Sequence, residues 1–401
     1  MRQNRAFRQG QPPEYQHKCD DLLQSHDLGR FARRPLMRAA VLGQRGVTAL
    51  HADAYASLLS PRPLAERMVI TGTLHDVSPH VLVLQTLEGE ERLAMTPATT
   101  AWRGSAVDPA MLHRGDQVIV RKSTPGRAVA ERVWAGIGRA TGTILQARAS
   151  GPALGTGSPR SLELLVDAGP ARARKAVVIT REAYRQILVR FPRLEPGYLI
   201  DVIGLRRQGF LQAVSPATAQ PAYRADHPPV PPLVSGRLPN PVIGTAVWHE
   251  PDAEPAGLLG IAYPAVDPET GCEHHRVSHQ GPSHQAASHE GASDQGAFDQ
   301  GASYEGLSPH SFDPHDVGPG CIRLPYLSVG SVVTMRNECS GLSAPLPITS
   351  CGAAARLFCD RCVECRTSPR GRIADLTMAA FVQLGGRLEN GCFNASLTMA
   401  R

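Results

Sequence analysis

The sequence predicts a mainly β protein: two small tandem β-barrel or β-sandwich modules, followed by a third, cysteine-rich barrel with a short helix. Alternating apolar runs begin near residue 66, separated by Gly, Asp and Pro at intervals of ~8–14 residues, a spacing typical of small barrels and sandwiches. A second set of runs repeats features of the first. At 401 residues the chain is long enough for two or three cores.

The repeat rests on two matched motifs. Thr71-Gly72-Thr73-Leu74 has a counterpart in Thr141-Gly142-Thr143-Ile144. Leu112–Val120 and Leu194–Val202 both begin with leucine, two further residues and glycine, and both continue into an apolar run. We therefore predict two copies of one β-module. Neither copy carries a chemical signature, so we expect both to hold or space a working domain.

Helix and linker signals complete the organisation. Arg181–Leu188 has apolar residues at helical spacing, which predicts a helix closing one end of the second module. Pro228–Pro232 favours extended polyproline geometry, which indicates a semi-rigid spacer. The predicted parts are a disordered leader at 1–60, β-modules at 62–137 and 138–218, a Pro-rich linker at 219–243, and a barrel domain at 244–401 with a His-rich insertion at 273–316.

The insertion contains a five-residue repeat that runs from Ser278 to Leu307 and begins Ser-His-Gln-Gly-Pro. The unit has almost nothing apolar to bury, so it cannot offset the entropy of ordering and is predicted to be a flexible surface loop. Its histidines could bind zinc, copper or nickel loosely. A repeat expansion without function is the alternative.

Cysteines are concentrated in the last third of the chain. Of nine cysteines, only Cys19 precedes residue 272. An even set in one small domain predicts a disulfide framework and an oxidising compartment, with the pairing left open. The predicted disulfide cysteines are Cys272, Cys321, Cys339, Cys351, Cys359, Cys362, Cys365 and Cys392.

A metal-binding alternative uses the closely spaced Cys359, Cys362 and Cys365. Their spacing matches the first three cysteines of a bacterial ferredoxin site, but Pro369 stands where the fourth would be. Zinc held by two of these cysteines with Cys351 and Cys339 is chemically reasonable but lacks paired CxxC spacing. We therefore expect neither a cofactor nor a resident metal.

The N-terminal region is similar to a twin-arginine export signal. Arg33-Arg34 is followed by Leu36-Met37, an Ala/Gly-rich stretch and an Ala-x-Ala ending at Ala56. Arg38 interrupts the apolar stretch, so a basic arm of an intracellular protein is the alternative. No run approaches the ~18 apolar residues of a membrane span, so we expect no transmembrane segment.

The charge balance bears on possible partners. The net charge is +6 at neutral pH, and aromatic residues make up 5% of the chain. A nucleic-acid-binding protein usually clusters basic residues beside stacking aromatics, so no nucleic-acid partner is expected. A mildly basic chain is compatible with an anionic polymer such as a bacterial wall.

The C-terminal motifs supply the functional hypothesis. Asp360-Arg361 lies between Cys359 and Cys362, and a second aspartate precedes a short helix predicted to begin after Thr377 and to stop at Gly385-Gly386. The wider motif set is Gly260-Ile261-Ala262-Tyr263, Leu324-Pro325, Val329-Gly330-Ser331-Val332-Val333, Asp360-Arg361-Cys362 and Arg372-Ile373-Ala374-Asp375-Leu376-Thr377. This set resembles the double-psi β-barrel shared by the rare lipoprotein A (RlpA) family and the expansins, over roughly the last 150 residues.

The resemblance implies an extracellular or wall-associated bacterial protein that binds, and in some relatives remodels, peptidoglycan or a related polysaccharide. It assigns catalytic roles to Asp360, Asp375 and Tyr263, and substrate binding to Arg361 and Arg372. A lytic transglycosylase or glycosidase acting through Asp360 and Asp375 is the alternative, since such cleavage needs an acid and a partner group.

This sequence departs from the transglycosylase pattern at two points. Cys321 stands at the position of the family's histidine, and Cys362-Val363 replaces Gly-Pro. A purely structural interpretation also stays open. In it, Asp375 caps the short helix and Asp360 pairs with Arg361 or Arg372.

Overall fold

The computed structural model describes residues 67–150, 161–169, 172–226, 240–250, 257–266, 322, 324–325, 327–352, 355, 357–363 and 371–399. The predicted leader and linker residues 227–239 lie outside these ranges, as does the His-rich insertion. Within them no helix has the length and apolarity needed to cross a membrane.

The mainly β fold class is confirmed. The described chain forms β1 to β20 and two α-helices, α1 and α2. The strands of the first half are β1 (Val69–Val77), β2 (Val81–Thr86), β3 (Gly89–Ala94), β4 (Thr100–Trp102), β5 (Ala106–Val107), β6 (Gln117–Lys122), β7 (Ala130–Ala135), β8 (Ile137–Ser150), β9 (Ser161–Asp167) and β10 (Lys175–Thr180). The remaining strands are β11 (Leu199–Arg207), β12 (Phe210–Pro216), β13 (Thr218–Ala219), β14 (Val242–Trp248), β15 (Ile261–Tyr263), β16 (Val332–Asn337), β17 (Ser343–Cys351), β18 (Arg361–Cys362), β19 (Arg372–Leu376) and β20 (Cys392–Met399). The helices are α1 (Arg181–Arg190) and α2 (Met378–Gln383).

Module 1, strands β1–β7, is a seven-stranded sheet in the order β3-β2-β1-β6-β7-β4-β5. Its apolar side chains alternate along β1, β2 and β6 and converge on a core of their own around Leu82, Leu84 and Val120. Strands β3 and β4 are not paired with each other in this order, so the sheet remains open instead of forming a closed barrel.

Module 2, strands β8–β12, is a closed barrel in the order β10-β12-β11-β8-β9. It repeats the pairings of module 1, because Gly72 lies opposite Val118 across β1 and β6 while Gly142 lies opposite Ile200 across β8 and β11. The parallel pair β4–β7 likewise corresponds to β10–β12. Barrel closure in module 2 comes from the antiparallel pair β9–β10.

Helix α1 lies where the periodicity predicts a helix. Ala183 and Ile187 are one turn apart, and both are buried in the apolar core of module 2. The helix therefore belongs to the barrel core rather than to its surface alone.

The C-terminal barrel is a closed six-stranded barrel in the order β14-β19-β15-β17-β16-β20. Two of its pairs are parallel, β14–β19 and β15–β17, and the others are antiparallel. The first strand is β14, whereas the sequence motif placed the start of the barrel at Gly260–Tyr263. Strand β14 was not predicted because Val242–Trp248 directly follows the Pro-rich stretch and contains Gly244, which weakens a strand pattern.

Helix α2 follows β19, and its boundaries agree with the sequence signals. The Thr377 hydroxyl accepts a hydrogen bond from the Ala380 amide at 3.3 Å, which satisfies one of the unpaired donors of the first turn. After the helix, Gly385 adopts a positive φ of 80°. Asp375 lies two residues before the cap and does not serve as the cap itself.

The three modules share one apolar core. Trp134 of module 1, Ile203 and Leu205 of module 2, and Trp248 and Phe393 of the C-terminal barrel all belong to a single buried cluster. A common core means that excising any one module would expose apolar surface to water. The three modules form one packed body.

The flanks of the predicted linker are part of this body. Thr218 and Ala219 form β13, which pairs antiparallel with Cys362 and Arg361 of β18. The Tyr223 hydroxyl accepts a hydrogen bond from the Cys359 amide at 3.1 Å and donates to the Leu357 carbonyl. Proline content predicted an extended spacer, but these flanking residues pack against the cysteine-containing segment.

Candidate functional site

A buried charge cluster joins module 2 to the C-terminal barrel. It consists of Arg139 and Asp201 from module 2 and Asp360 and Arg372 from the C-terminal barrel, each side chain at most 2% exposed. Arg139 donates to both carboxylate oxygens of Asp201, at 2.8 and 2.6 Å. Arg372 donates to Asp201 at 2.5 Å and also pairs with Asp360. We call these four residues the charge cluster.

The charge cluster is electrically balanced, with two cations and two anions. Burial alone would raise the pKa of Asp201, but Arg139 and then Arg372 outweigh this effect and hold it below its usual range. Burial likewise opposes the charge of Arg372, yet Asp360 and Asp201 raise its pKa above the ordinary value. Asp201 and Arg372 therefore stay ionised, and the charge cluster acts as an electrostatic joint between the modules.

Three further contacts orient the arginines of the cluster. The Arg139 guanidinium donates to the Gly391 carbonyl at 2.7 Å and lies 5.4 Å from the Trp248 ring centroid. The Arg372 guanidinium lies 4.0 Å from the Phe358 ring centroid. Cation–π contact with a desolvated ring adds to the ionic attraction. These contacts fix the side chains on both sides of the joint.

The second candidate catalytic carboxylate, Asp375, lies in a different environment. Its Oδ1 is 3.3 Å from Nδ1 of His249, the residue that follows β14, and its Oδ2 is 3.6 Å from the Arg172 guanidinium of module 2. The parallel pairing of β14 with β19 brings these residues together, because Val247 lies opposite Asp375. The aspartate and histidine side chains are 8% and 4% exposed, and we call them the His249–Asp375 pair.

The electrostatics of Asp375 define what it can do. Burial would raise its pKa, but the positive charge of His249, and then of Arg172 and Arg372, holds the pKa well below its usual range. Asp375 is therefore a carboxylate at neutral pH, able to accept hydrogen bonds or stabilise a positive charge. A proton donor in this pair would have to be the histidine.

A rim of charged residues borders the pair along the seam between the barrels. Glu250, next to His249, pairs with Lys175 at 2.7 Å and with Arg206 at 3.5 Å, and it accepts a hydrogen bond from the Arg139 amide at 2.5 Å. Burial raises the pKa of Glu250, but Lys175 and Arg206 outweigh this and lower it. Ion pairs therefore lie both at the rim of the barrel-to-barrel contact and in the buried cluster, and the hydrogen bond from the Arg139 amide to Glu250 connects the two.

The structure separates the sequence-predicted site residues into different surroundings. Asp360 and Arg372 belong to the charge cluster, as the structural interpretation of Asp360 anticipated. Tyr263 is fully buried, its hydroxyl donates to the Pro325 carbonyl at 3.1 Å, and burial raises its pKa. Arg361 is half-buried on the short strand β18. Asp375 alone among them lies beside a histidine.

The structure describes five of the eight cysteines predicted to form disulfides. Cys339, Cys362 and Cys392 are thiols, whereas Cys351 and Cys359 are disulfide-bonded. A cysteine in a disulfide cannot supply a thiolate, so Cys359 is not available as a metal ligand in this structure. Cys272, Cys321 and Cys365 lie outside the described residues. Among the described residues, no group of three His, Cys, Asp or Glu side chains could hold a metal ion.

Sequence reasoning missed the partners of the predicted aspartates. Asp201 stands alone in the apolar run Leu199–Leu205, and a lone acid on a buried strand requires a buried cation, which was an available signal. His249 directly follows the apolar strand β14. No local pattern indicates that Arg139 or Arg172 would reach another module, because those contacts arise only from docking.

The described chain is thus a mainly β protein in which two closed barrels and one open sheet are fused through a common core. No protein-family model matches the sequence, and no curated protein matches it.

Acidification will destabilise the protein. The folded-state pKa values of Asp201 and Asp375 lie below their unfolded values of about 3.9, so their contribution is complete above that pH and is lost as pH falls through the folded values. We expect the melting temperature to be level between about pH 5 and 7 and to fall steeply below about pH 4. Calorimetry across pH 2.5–7 measures this. An Asp375→Asn variant should show a shallower fall, and an equally steep one would contradict the assignment.

Proposed function

We propose that this is an exported bacterial protein whose C-terminal barrel binds peptidoglycan or a related wall polysaccharide at the His249–Asp375 pair. The observation that carries the proposal is the pair itself, which joins the aspartate of the Asp-Leu-Thr motif to a histidine 3.3 Å away. An ionised carboxylate accepts hydrogen bonds from sugar hydroxyls, and histidine and arginine donate them. Arg172 supplies the arginine at 3.6 Å.

Two further features support wall association. Cys351 and Cys359 are disulfide-bonded, which fits an oxidising compartment outside the cytoplasm. The six-stranded barrel with two parallel pairs is compatible with the double-psi arrangement that the motifs suggest. Asp375 lies on the barrel strand β19 and His249 directly follows β14, so a bound sugar would meet side chains held by ordered elements.

A second candidate function, glycoside cleavage, is favoured by one observation. In the transglycosylase-like pattern Asp360 lacks its histidine, because Cys321 stands at that position, but the structure places His249 beside the other predicted acid, Asp375. His249 would protonate the departing glycosidic oxygen, and the ionised Asp375 would stabilise positive charge developing at the anomeric carbon. Asp360 has no part in this scheme, because its side chain is fully buried in the charge cluster.

The experiment uses the full chain, since the modules share a core. Purified protein is mixed with insoluble sacculi, and protein in the pellet and sugars in the supernatant are both measured. We expect the wild type to co-sediment and Asp375→Asn to bind about 10-fold or more weakly, the loss expected for a charged hydrogen-bond acceptor. Asp226→Asn, which changes an exposed acid in the segment that follows module 2, is the matched control.

The possible outcomes distinguish the two functions. Co-sedimentation without soluble sugar supports binding alone. Soluble sugar that disappears in both His249→Gln and Asp375→Asn supports cleavage. A wild-type protein that neither sediments nor releases sugar overturns both, and an Asp375→Asn variant that folds and binds like the wild type removes the pair from the site.

A further inference from the structure

Two buried thiols lie together where β18 meets the C-terminal barrel. Cys362 ends β18 and Cys392 begins β20, and the two side chains form a small buried cluster with Val247. The Cys362 thiol donates to the Cys392 carbonyl at 3.7 Å. Burial, and then the neighbouring Cys362, raise the pKa of the Cys392 thiol. The two residues are thus direct neighbours although 30 positions separate them.

The surrounding chain is already oxidised. Cys359 lies three residues before Cys362 and is disulfide-bonded, as is Cys351 of β17. An environment that oxidises Cys359 would meet the same segment at Cys362 during folding, before the thiol becomes buried. Two cysteines brought into contact in an oxidising compartment are expected to join.

We propose that Cys362 and Cys392 form a disulfide bond that ties β18 to β20. In forming it the two thiols lose two protons and two electrons, a sulfur–sulfur bond is made, and a disulfide-containing oxidant such as oxidised glutathione is reduced to its two thiols. Once buried, the bond is shielded from reducing thiols, as structural disulfides are.

The position of this bond gives it a role in the joint between the modules. Strand β18 pairs with β13, the strand that immediately follows the barrel of module 2. Asp360 of the charge cluster directly precedes β18. Fixing Cys362 to β20 would therefore hold both the β13–β18 pairing and the Asp360 carboxylate against the C-terminal barrel.

Peptide mapping of the full chain tests the proposal. Protein folded with reduced and oxidised glutathione is denatured in an alkylating reagent without reductant, then cut with trypsin and a glutamate-specific protease. This digestion releases Cys362-Val363-Glu364 separately from Cys365, and Cys392 on Asn390–Arg401. We expect these two peptides to be linked, and the link to disappear when reductant is added before digestion.

Variants supply the controls. Cys339→Ser changes an exposed thiol elsewhere and should leave the linked peptides intact. Cys362→Ser should leave Cys392 alkylated. The double variant Cys362→Ala/Cys392→Ala should fold with a melting temperature about 5–10 °C lower, the shift expected when a disulfide closing a loop of ~30 residues is removed.

Alkylation of both cysteines in the unreduced wild type, or linkage of Cys362 to another cysteine, would overturn the proposal. Either result is independent of polysaccharide binding.

Discussion

Replacing Asp201 with asparagine will strongly destabilise the protein. The substitution leaves two buried guanidinium groups, Arg139 and Arg372, with Asp360 as the one carboxylate that remains in the charge cluster. Removing one partner from a buried ionic group typically costs about 3–5 kcal/mol, because the remaining charge stays desolvated. We expect a fall in melting temperature on the order of 10 °C, measured by calorimetry at pH 7.

Two comparisons isolate the cause of this effect. Asp226→Asn removes an acid whose side chain is 54% exposed and should leave the melting temperature unchanged. The double variant Arg139→Met/Asp201→Leu removes one cation and one anion together, leaving Arg372 paired with Asp360. It should recover part of the stability, since apolar replacement of a whole buried pair is often tolerated. A double variant less stable than Asp201→Asn would show that geometry rather than charge balance dominates.

The joint also explains why the catalytic assignment of Asp360 does not fit its surroundings. Asp360 is fully buried, ion-paired with Arg372, and its carbonyl accepts from the Gly371 amide at 2.8 Å. Both the side chain and the backbone of Asp360 are therefore fixed by these contacts. Asp375 keeps 8% of its side chain exposed and Asp360 keeps none, so Asp375 is the more accessible of the two predicted acids.

Local signals in the sequence were sufficient for much of the fold. Alternating apolar residues predicted the strands, and the helical spacing at Ala183 and Ile187 predicted α1. Thr377 and Gly385 marked the two ends of α2, because a cap and a left-handed turn are local requirements. These features depend on neighbours within a few residues, which a single sequence displays.

The joint between modules could not be predicted in the same way. Arg139 reaches Gly391 and Arg372 reaches Asp201, and the residues of each pair lie far apart in the chain. Long-range partners leave no periodicity, and the proline content near residue 220 suggested separation instead of docking. The states of Cys339, Cys362 and Cys392 were equally hidden, since the number of cysteines does not reveal which side chains meet.

Replacing Gly142 with alanine will destabilise module 2 more than the same change at other glycines. Gly142 has a φ of 153°, and an added Cβ would lie 1.9 Å from the Asp167 carbonyl oxygen and 2.6 Å from its carbon. Both atoms are backbone of the paired strand β9, so relief requires β8 and β9 to separate. We expect a loss of about 3 kcal/mol or more, from combined backbone strain and steric overlap.

A series of alanine substitutions distinguishes steric overlap from strain. Gly89 has a φ of 132° with nothing within 4 Å of an added Cβ, so Gly89→Ala should cost only the backbone strain, about 1 kcal/mol. Gly72, the counterpart of Gly142 in module 1, would place its Cβ 2.7 Å from the Gln85 carbonyl oxygen. Urea unfolding should therefore rank Gly142→Ala as more damaging than Gly72→Ala. Equal losses of unfolding free energy at Gly142 and Gly89 would assign the effect to the backbone angle φ alone. The expected ranking would instead assign it to steric overlap. The glycine of the repeated Thr-Gly-Thr motif would then be explained by the close approach of two strands in each β-module, which leaves no space for a side chain.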